Sequence, residues 1–176
     1  ERVLSIAHRN SNHLRQLVDD LLDIEKLVSG KMRMHISSEF LPPLLHEIVD
    51  RLRSYASDNR VCVTLDENLP HVYANVDRQR LTQALTNLLS NAIKFSPEGS
   101  TVSVKTSHLK DHLRIVVQDE GPGIPDSFKP RVFQKFAQAD SSDTRGKGGT
   151  GLGLAITQEI MMQMEGNVGF ESQEGH

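Results

Sequence analysis

From residue 3 to residue 32 the chain carries no proline, and its one glycine, Gly30, falls near the end. Within that stretch Leu14, Leu17, Leu21, Ile24 and Val28 step by 3, 4, 3 and 4, and the register extends back through Asn10, Ala7 and Val3. This spacing predicts a long helix with a heptad seam. Val18, Leu22 and Leu27 widen the stripe. At 1.5 Å per residue such a helix runs roughly 45 Å, and alone it has nothing against which to bury its apolar face. It calls for a second helix from this chain or another copy; packing on its own domain is the plainer alternative. Gly30 suits a C-terminal stop, with Lys26 and Lys31 near the negative end of the helix dipole.

After Gly30 the period changes. Residues 32–40 alternate loosely and predict a strand. Pro42 and Pro43 open a second helix to about Ser57, and Val61, Val63 and Leu65 alternate as a strand. Pro70 breaks the pattern, and Val72 to Asn75 predicts a short strand. Asp77 is a suitable N-cap for a helix through Ile93, with Leu81, Ala84, Leu85, Leu88, Leu89 and Ala92 at helical spacing. Pro97 to Gly99 is a turn, and Thr101 to Thr106 and Leu113 to Gln118 form a hairpin around Lys110 and Asp111. A last helix covers about Leu152 to Met164, and Val168 to Glu171 begins a strand. The expected class is α+β: a two-layer sandwich, one mixed sheet covered by helices on one face, preceded by a long helix. The domain boundary is expected between His35 and Phe40.

Composition narrows the function classes. The 176 residues are 37% hydrophobic and 24% charged, which fits an ordered domain. A net charge of −3 gives no global drive toward nucleic acid or anionic membrane. The single cysteine, Cys62, excludes an internal disulfide framework and a Cys-rich zinc site. No run approaches 18 apolar residues.

Four segments carry candidate chemistry. In Asn87-Leu-Leu-Ser-Asn91-Ala-Ile-Lys94-Phe95, the spacings of four and three put Asn87, Asn91 and Lys94 on one helix face. An amide oxygen can ligate a hard cation such as Mg²⁺, and a lysine can neutralise phosphate. Taken alone, the face reads equally as a solvated helix surface. Asp119-Glu120-Gly121-Pro122-Gly123-Ile124 follows a strand; glycines let backbone approach a ligand, and an aspartate there can accept from an exocyclic amine such as adenine's. An acidic β-turn is the plainer alternative. Gly146, Gly148, Gly149, Gly151 and Gly153 place five glycines in eight residues where a helix opens, a setting that suits phosphate. Gly146, Gly148 and Gly151 fit G-x-G-x-x-G, but polar loop precedes them rather than a strand, and no Walker-type G-x-x-x-x-G-K-[ST] occurs. Lastly, Phe133 and Phe136, three apart, can anchor a loop by one edge or fill a core turn.

In this order and at these separations the four segments resemble the N, G1, F and G2 boxes of the sensor histidine kinases, within the wider group of gyrase-type ATPases and Hsp90-like chaperones. Residues 10–27 are similar to the second helix of that family's dimerisation and phosphotransfer hairpin. The resemblance covers nearly the whole chain. It implies a Bergerat-type ATP-binding fold at 35–176, with 1–34 as the second hairpin helix, the first hairpin helix absent and the C-terminal strand truncated. It implies that Asn91 ligates Mg²⁺, with Asn87 and Lys94 at the phosphates of ATP. Asp119 would read the adenine amine, with Gly121 and Gly123 shaping its pocket. The backbone of Gly149, Thr150, Gly151, Leu152 and Gly153 would face the phosphates, residues 138–148 would form a lid, and Phe95, Ile124, Phe136 and Leu154 complete the implied ATP-binding set. The implied activity is donation of the γ-phosphoryl group to a histidine, for relay to a response-regulator aspartate. The implied partners are a second copy, through the N-terminal helix, and a response regulator. The implied location is cytoplasmic, with any membrane contact made through other parts of the parent.

The departures also inform. The family's phosphoacceptor lies in a pattern like His-Glu-Leu-Arg-Thr-Pro, which does not occur here. His8 and His13 lack the adjacent acidic residue and the following proline, and read as exposed helix residues. Where the hydrolysing relatives carry a water-polarising glutamate, four residues before the magnesium asparagine, this chain has Asn87. An amide is a poor general base, which favours a phosphoryl donor over a hydrolase. The alternatives are a gyrase- or Hsp90-like ATPase and a non-catalytic regulatory module that heterodimerises through the helix stripe.

Overall fold

The computed structural model describes residues 2–110, 112–138 and 149–175. The long helix α1 spans Arg2–Val28 and ends as expected. Gly30 takes the left-handed conformation (φ 65°), and the amides of Lys31 and Met32 both donate to the Lys26 carbonyl. That closes the last turn. The expected strand at 32–40 shortens to β1, Ser37–Phe40. The residues before it form an extended connector, held where the His35 N–H donates to Asp77 Oδ2 at 2.8 Å.

Helix α2 (Leu41–Asp58) starts with Pro42 and Pro43 in its first turn, where a missing N–H leaves no bond unmade. Strands β2 (Cys62–Leu65) and β3 (Tyr73–Val76) follow. Asp77 caps α3 (Arg78–Phe95), its Oδ1 accepting from the Arg80 N–H at 3.0 Å. Strands β4 (Thr101–Leu109) and β5 (His112–Gln118) form the hairpin, and the last helix, α4, covers Gly153–Gln163. Asp111, in the expected hairpin turn, lies outside the described residues.

Hydrogen bonding divides the strands into two sheets rather than the single sheet expected. β1 pairs antiparallel with β3, while β2, β4 and β5 form a mixed sheet, parallel at β2–β4 and antiparallel at β4–β5. Alternation gives the mixed sheet one dry face. Leu113, Ile115 and Val117 of β5 pack inward with Val102 and Val104 of β4, while His112, Arg114, Val116 and Gln118 are exposed. Against that face lie Leu44, Ile48 and Val49 of α2 and Leu85, Leu89 and Ile93 of α3. The described residues thus form the expected mixed sheet and helices.

A second core cluster lies on the other flank of α3. Ala84 of α3 meets Leu152, Ala155, Ile156 and Ile160, in and just before α4, and Ile24 and Leu27 of α1 complete it. Ile24, part of the expected dimer seam, is therefore only 1% exposed within the chain itself. Farther along α1, Leu14, Val18, Leu21 and Leu22 remain exposed. The side chains of Val3, Ala7, Asn10 and His13 lie outside the described residues, and His8 is exposed.

The strand expected at 168–171 does not form. Its neighbourhood bonds elsewhere: the Gly166 N–H donates to Met161, Ser172 Oγ accepts from the Ile124 N–H at 2.8 Å, and the Gly175 N–H donates to Pro122. The residues that follow, 172–175, lie along the 122–124 turn instead of extending a sheet.

Asp77 ties the connector to α3, which makes it a pH-dependent part of the fold. Burial pushes its carboxyl up, but backbone N–H groups of His35, Arg80 and Gln79 and the Arg80 charge outweigh this and leave it below the ordinary 3.8. The native state therefore binds that proton less readily than the unfolded chain. Its contribution is full above the ordinary carboxylate value and is lost as pH falls through the lowered native value. Asp77→Ala should destabilise by about 1–2 kcal/mol at neutral pH. In urea titrations the gap between the two proteins should close toward acid pH.

Candidate functional site

The site forms where the polar strip of α3 meets the glycine segment that opens α4. Asn87, Asn91 and Lys94 are all half-buried on α3. Asn87 Nδ2 donates to the Gly153 carbonyl at 3.1 Å, joining α3 to the first turn of α4. A Cβ on Gly153 would lie 3.5 Å from Asn87 Cγ, so the helices meet here at ordinary contact distance. Asn91 sits one turn further along, and its side-chain amide makes no hydrogen bond among the described residues. Lys94 Nζ lies 4.6 Å from the Phe95 ring centroid and 3.0 Å from where a Gly149 Cβ would stand. The two outer members of the strip therefore touch the two ends of the segment 149–153.

The glycine segment is shaped by the phenylalanine motif. Gly151 has φ 69°, and an added Cβ would come within 2.9 Å of the Phe136 Cα. The Phe136 N–H donates to the Gly151 carbonyl at 2.9 Å. Phe136 is itself left-handed (φ 62°) and 59% exposed. Its ring does not fill a core; Phe133 packs instead on Phe170, with centroids 5.9 Å apart. Gln138 Nε2 donates to the Gly149 carbonyl at 2.9 Å. Residues 139–148 of the expected lid, including Gly146 and Gly148, lie outside the described residues. Leu152 is fully buried and anchors the segment in the α4 cluster, and Leu154 is half-buried.

The acidic turn approaches the end of α3. Asp119 is exposed, and its Oδ1 accepts from the Gly121 N–H at 2.8 Å. A Cβ on Gly121 would lie 3.2 Å from the Phe95 carbonyl oxygen, so the backbones are close. Glu120 does something different: its Oε1 accepts from the Thr101 N–H at 3.1 Å, at the start of β4. Gly123 (φ 76°) lies under the segment 172–175, and its Cβ would fall 2.2 Å from the Gln173 carbonyl oxygen.

Sequence spacing found these residues but missed two polar side chains that hold them, Ser172 and Asp20, and took Gln138 only as the start of the lid. Thr150 Oγ1 donates to Asp20 Oδ2 of α1 at 3.0 Å and accepts from the Leu152 N–H at 3.1 Å. Nothing in the local pattern marks Asp20, whose partner is 130 residues away. A shallow surface hollow around Phe40, His46 and His71 contains none of the site residues. Among the described residues no helix is long and apolar enough to cross a membrane.

Residues 76–176 match the family described as histidine kinase-, DNA gyrase B- and HSP90-like ATPase. Over 176 residues the chain is 38% identical to the signal transduction histidine-protein kinase BarA of Escherichia coli (strain K12), covering 97% of this chain and 19% of BarA. It is 34% identical to the sensor histidine kinase WalK of Bacillus subtilis (strain 168), covering 99% of this chain and 29% of WalK. The structure of full-length ShkA in complex with AMPPNP superposes with a TM-score of 0.79 at 29% identity, over 99% of this chain and 37% of ShkA. The chain belongs to the histidine kinase-, DNA gyrase B- and HSP90-like ATPase family, as a catalytic ATP-binding domain of the sensor histidine kinase type. It spans less than a third of the length of these two curated relatives.

The glycine geometry yields a direct expectation. Gly151→Ala should destabilise by about 1–3 kcal/mol, from the left-handed backbone and the contact with Phe136. Gly169, with open space around it, is the control, and Gly169→Ala should stay within about 0.5 kcal/mol. Chemical denaturation of both variants checks this.

Proposed function

We propose that this chain binds Mg-ATP between α3 and the glycine segment and acts as the phosphoryl-donor domain of a sensor histidine kinase. One observation carries this function: the polar strip of α3 faces the glycine segment, with Asn87 bonded to Gly153 and Lys94 against Gly149. Asn87, Lys94 and the backbone of Gly149, Thr150, Gly151, Leu152, Gly153 and Leu154 take the phosphates. The first amides of α4 have no carbonyl within the helix to bond, which suits them to anions. Asp119 takes the adenine amine through Oδ2, since Oδ1 is engaged by Gly121. Gly121, Gly123 and Ile124 form the turn behind the base, with Phe95 and Phe136 at its margins.

Asn91 fits a role toward Mg²⁺. Its amide oxygen is a hard donor left unbonded on the same face as Asn87 and Lys94. Among the described residues no three His, Cys, Asp or Glu side chains gather, so Asn91 is the protein ligand this reading assigns. When bound, the ion would supply neutralisation of phosphate charge.

The γ-phosphoryl group goes to a histidine on a hairpin helix, for relay to a response-regulator aspartate. Two chains pair through the exposed stripe of α1, in the cytoplasm. Asn87 cannot serve as a strong general base, which keeps water from competing with the acceptor imidazole.

Calorimetric titration with AMPPNP, with and without Mg²⁺, tests the site. Binding should strengthen with Mg²⁺, and Asn91→Ala should remove that increment. Asp119→Ala should weaken binding about 10- to 100-fold, as expected for a hydrogen bond to a charged group. Glu120→Ala should change it less than about threefold, because Glu120 bonds the edge of β4. Equal losses would reject the adenine assignment. Sustained ATP hydrolysis that disappears in Asn91→Ala would reject the donor role in favour of a hydrolase. For the pairing face, sedimentation should show concentration-dependent association that Leu14→Glu abolishes.

A further inference from the structure

Asp20 lies on α1, outside the four motifs, yet it holds the segment that faces the phosphates. It is 8% exposed. Its Oδ1 accepts from Gln16 Nε2 at 2.7 Å and its Oδ2 from Thr150 Oγ1 at 3.0 Å. Among the described residues no Lys, Arg or His forms an ion pair with it. Both of its side-chain donors are neutral, and through Thr150 it reaches the segment that opens α4. Thr150 connects the two, since its hydroxyl also accepts the Leu152 N–H just before α4.

A hydroxyl has one proton. While Thr150 donates it to Asp20, that proton is unavailable to a phosphate oxygen. The Asp20 carboxylate is also one hydroxyl away from the segment that leads into α4, and a negative charge there opposes a polyphosphate. Neighbouring contacts keep α1 in this place: Arg80 Nη1 and Gln83 Nε2 of α3 donate to Asp23 Oδ2 at 3.1 and 2.9 Å, and Ile24 and Leu27 fill the α4 cluster.

We infer that Asp20 is a positioning residue that acts through Thr150: with α1 docked it turns the Thr150 hydroxyl away from the nucleotide and opposes phosphate binding at the head of α4. Nucleotide affinity is thereby tied to whether α1 lies against the domain. This role rests on the nucleotide site proposed above.

The test is titration of this chain with Mg-AMPPNP and, separately, with adenosine. Asp20→Ala should bind Mg-AMPPNP about tenfold more tightly than the parent, the scale of one hydrogen bond to a charged group. Asp20→Asn, which keeps the size and an acceptor oxygen but not the charge, should fall between the two. Adenosine carries no phosphate, and its affinity should stay within about twofold across the three proteins. In a Thr150→Val background, Asp20→Ala should lose most of its effect. An equal change for adenosine and Mg-AMPPNP would reveal a general structural role and overturn the inference. Unchanged or weaker Mg-AMPPNP binding by Asp20→Ala and Asp20→Asn would overturn it as well, while leaving the nucleotide site standing. Failure of the parent and both variants to bind either ligand would reject the nucleotide site, and the role of Asp20 with it.

Discussion

A helix of 18 residues covered along two flanks has only a narrow strip left for polar side chains, and α3 meets that constraint. Leu85, Leu89 and Ile93 face the mixed sheet, and Ala84 faces α4 and α1. Each large side chain buried there contributes about 1.5–3 kcal/mol, whereas one neutral hydrogen bond contributes about 1 kcal/mol. Packing therefore places the helix, and polar contacts only orient what remains. What remains includes the strip of Asn87, Asn91 and Lys94, with Asn87 bonded to Gly153 in the first turn of α4. The small side chain of Ala84 shares a buried cluster with Leu152 and Ile156, and three residues further along α3 Asn87 reaches Gly153.

The glycines around the strip have separate tasks. Gly121 lets the acidic turn come up to the Phe95 carbonyl, and Gly151 lets the phenylalanine motif cross the head of α4. Gly153 does not meet a close clash; it supplies the carbonyl that Asn87 and Thr157 both use. The acidic turn and the glycine segment are thus brought to the same helix by short contacts of different chemistry. The acidic turn is held by backbone and carboxylate, and the α4 side by buried aliphatic packing.

Much of this was legible in the chain because the signals are local. The cap at Asp77, the stop at Gly30 and the alternation in β5 each depend on a few neighbouring residues, and each element formed where its pattern lies. The candidate strip was legible because three polar residues interrupt a helical stripe at spacings of four and three. What escaped depends on distant partners. Residues 168–171 alternate like a strand, but their neighbours bond the 122–124 turn, which no local pattern announces. The heptad seam of α1 reads as one continuous face, yet Ile24 and Leu27 turn into the chain's own core while Leu14 and Val18 do not. Periodicity identifies an apolar face without saying which neighbour covers each part of it.

The contact between the 172–175 segment and the acidic turn bears on how this domain can be handled. Ser172 and Gly175 bond the backbone of Ile124 and Pro122, and the Gln173 carbonyl sits where a side chain on Gly123 would have to go. Residues 172–175 thus buttress the turn proposed above for the base. A change made in them, or a segment spliced beside them, would disturb that turn before it disturbed the helices. The placement of an affinity tag therefore belongs among the variables of any nucleotide-binding assay on this domain.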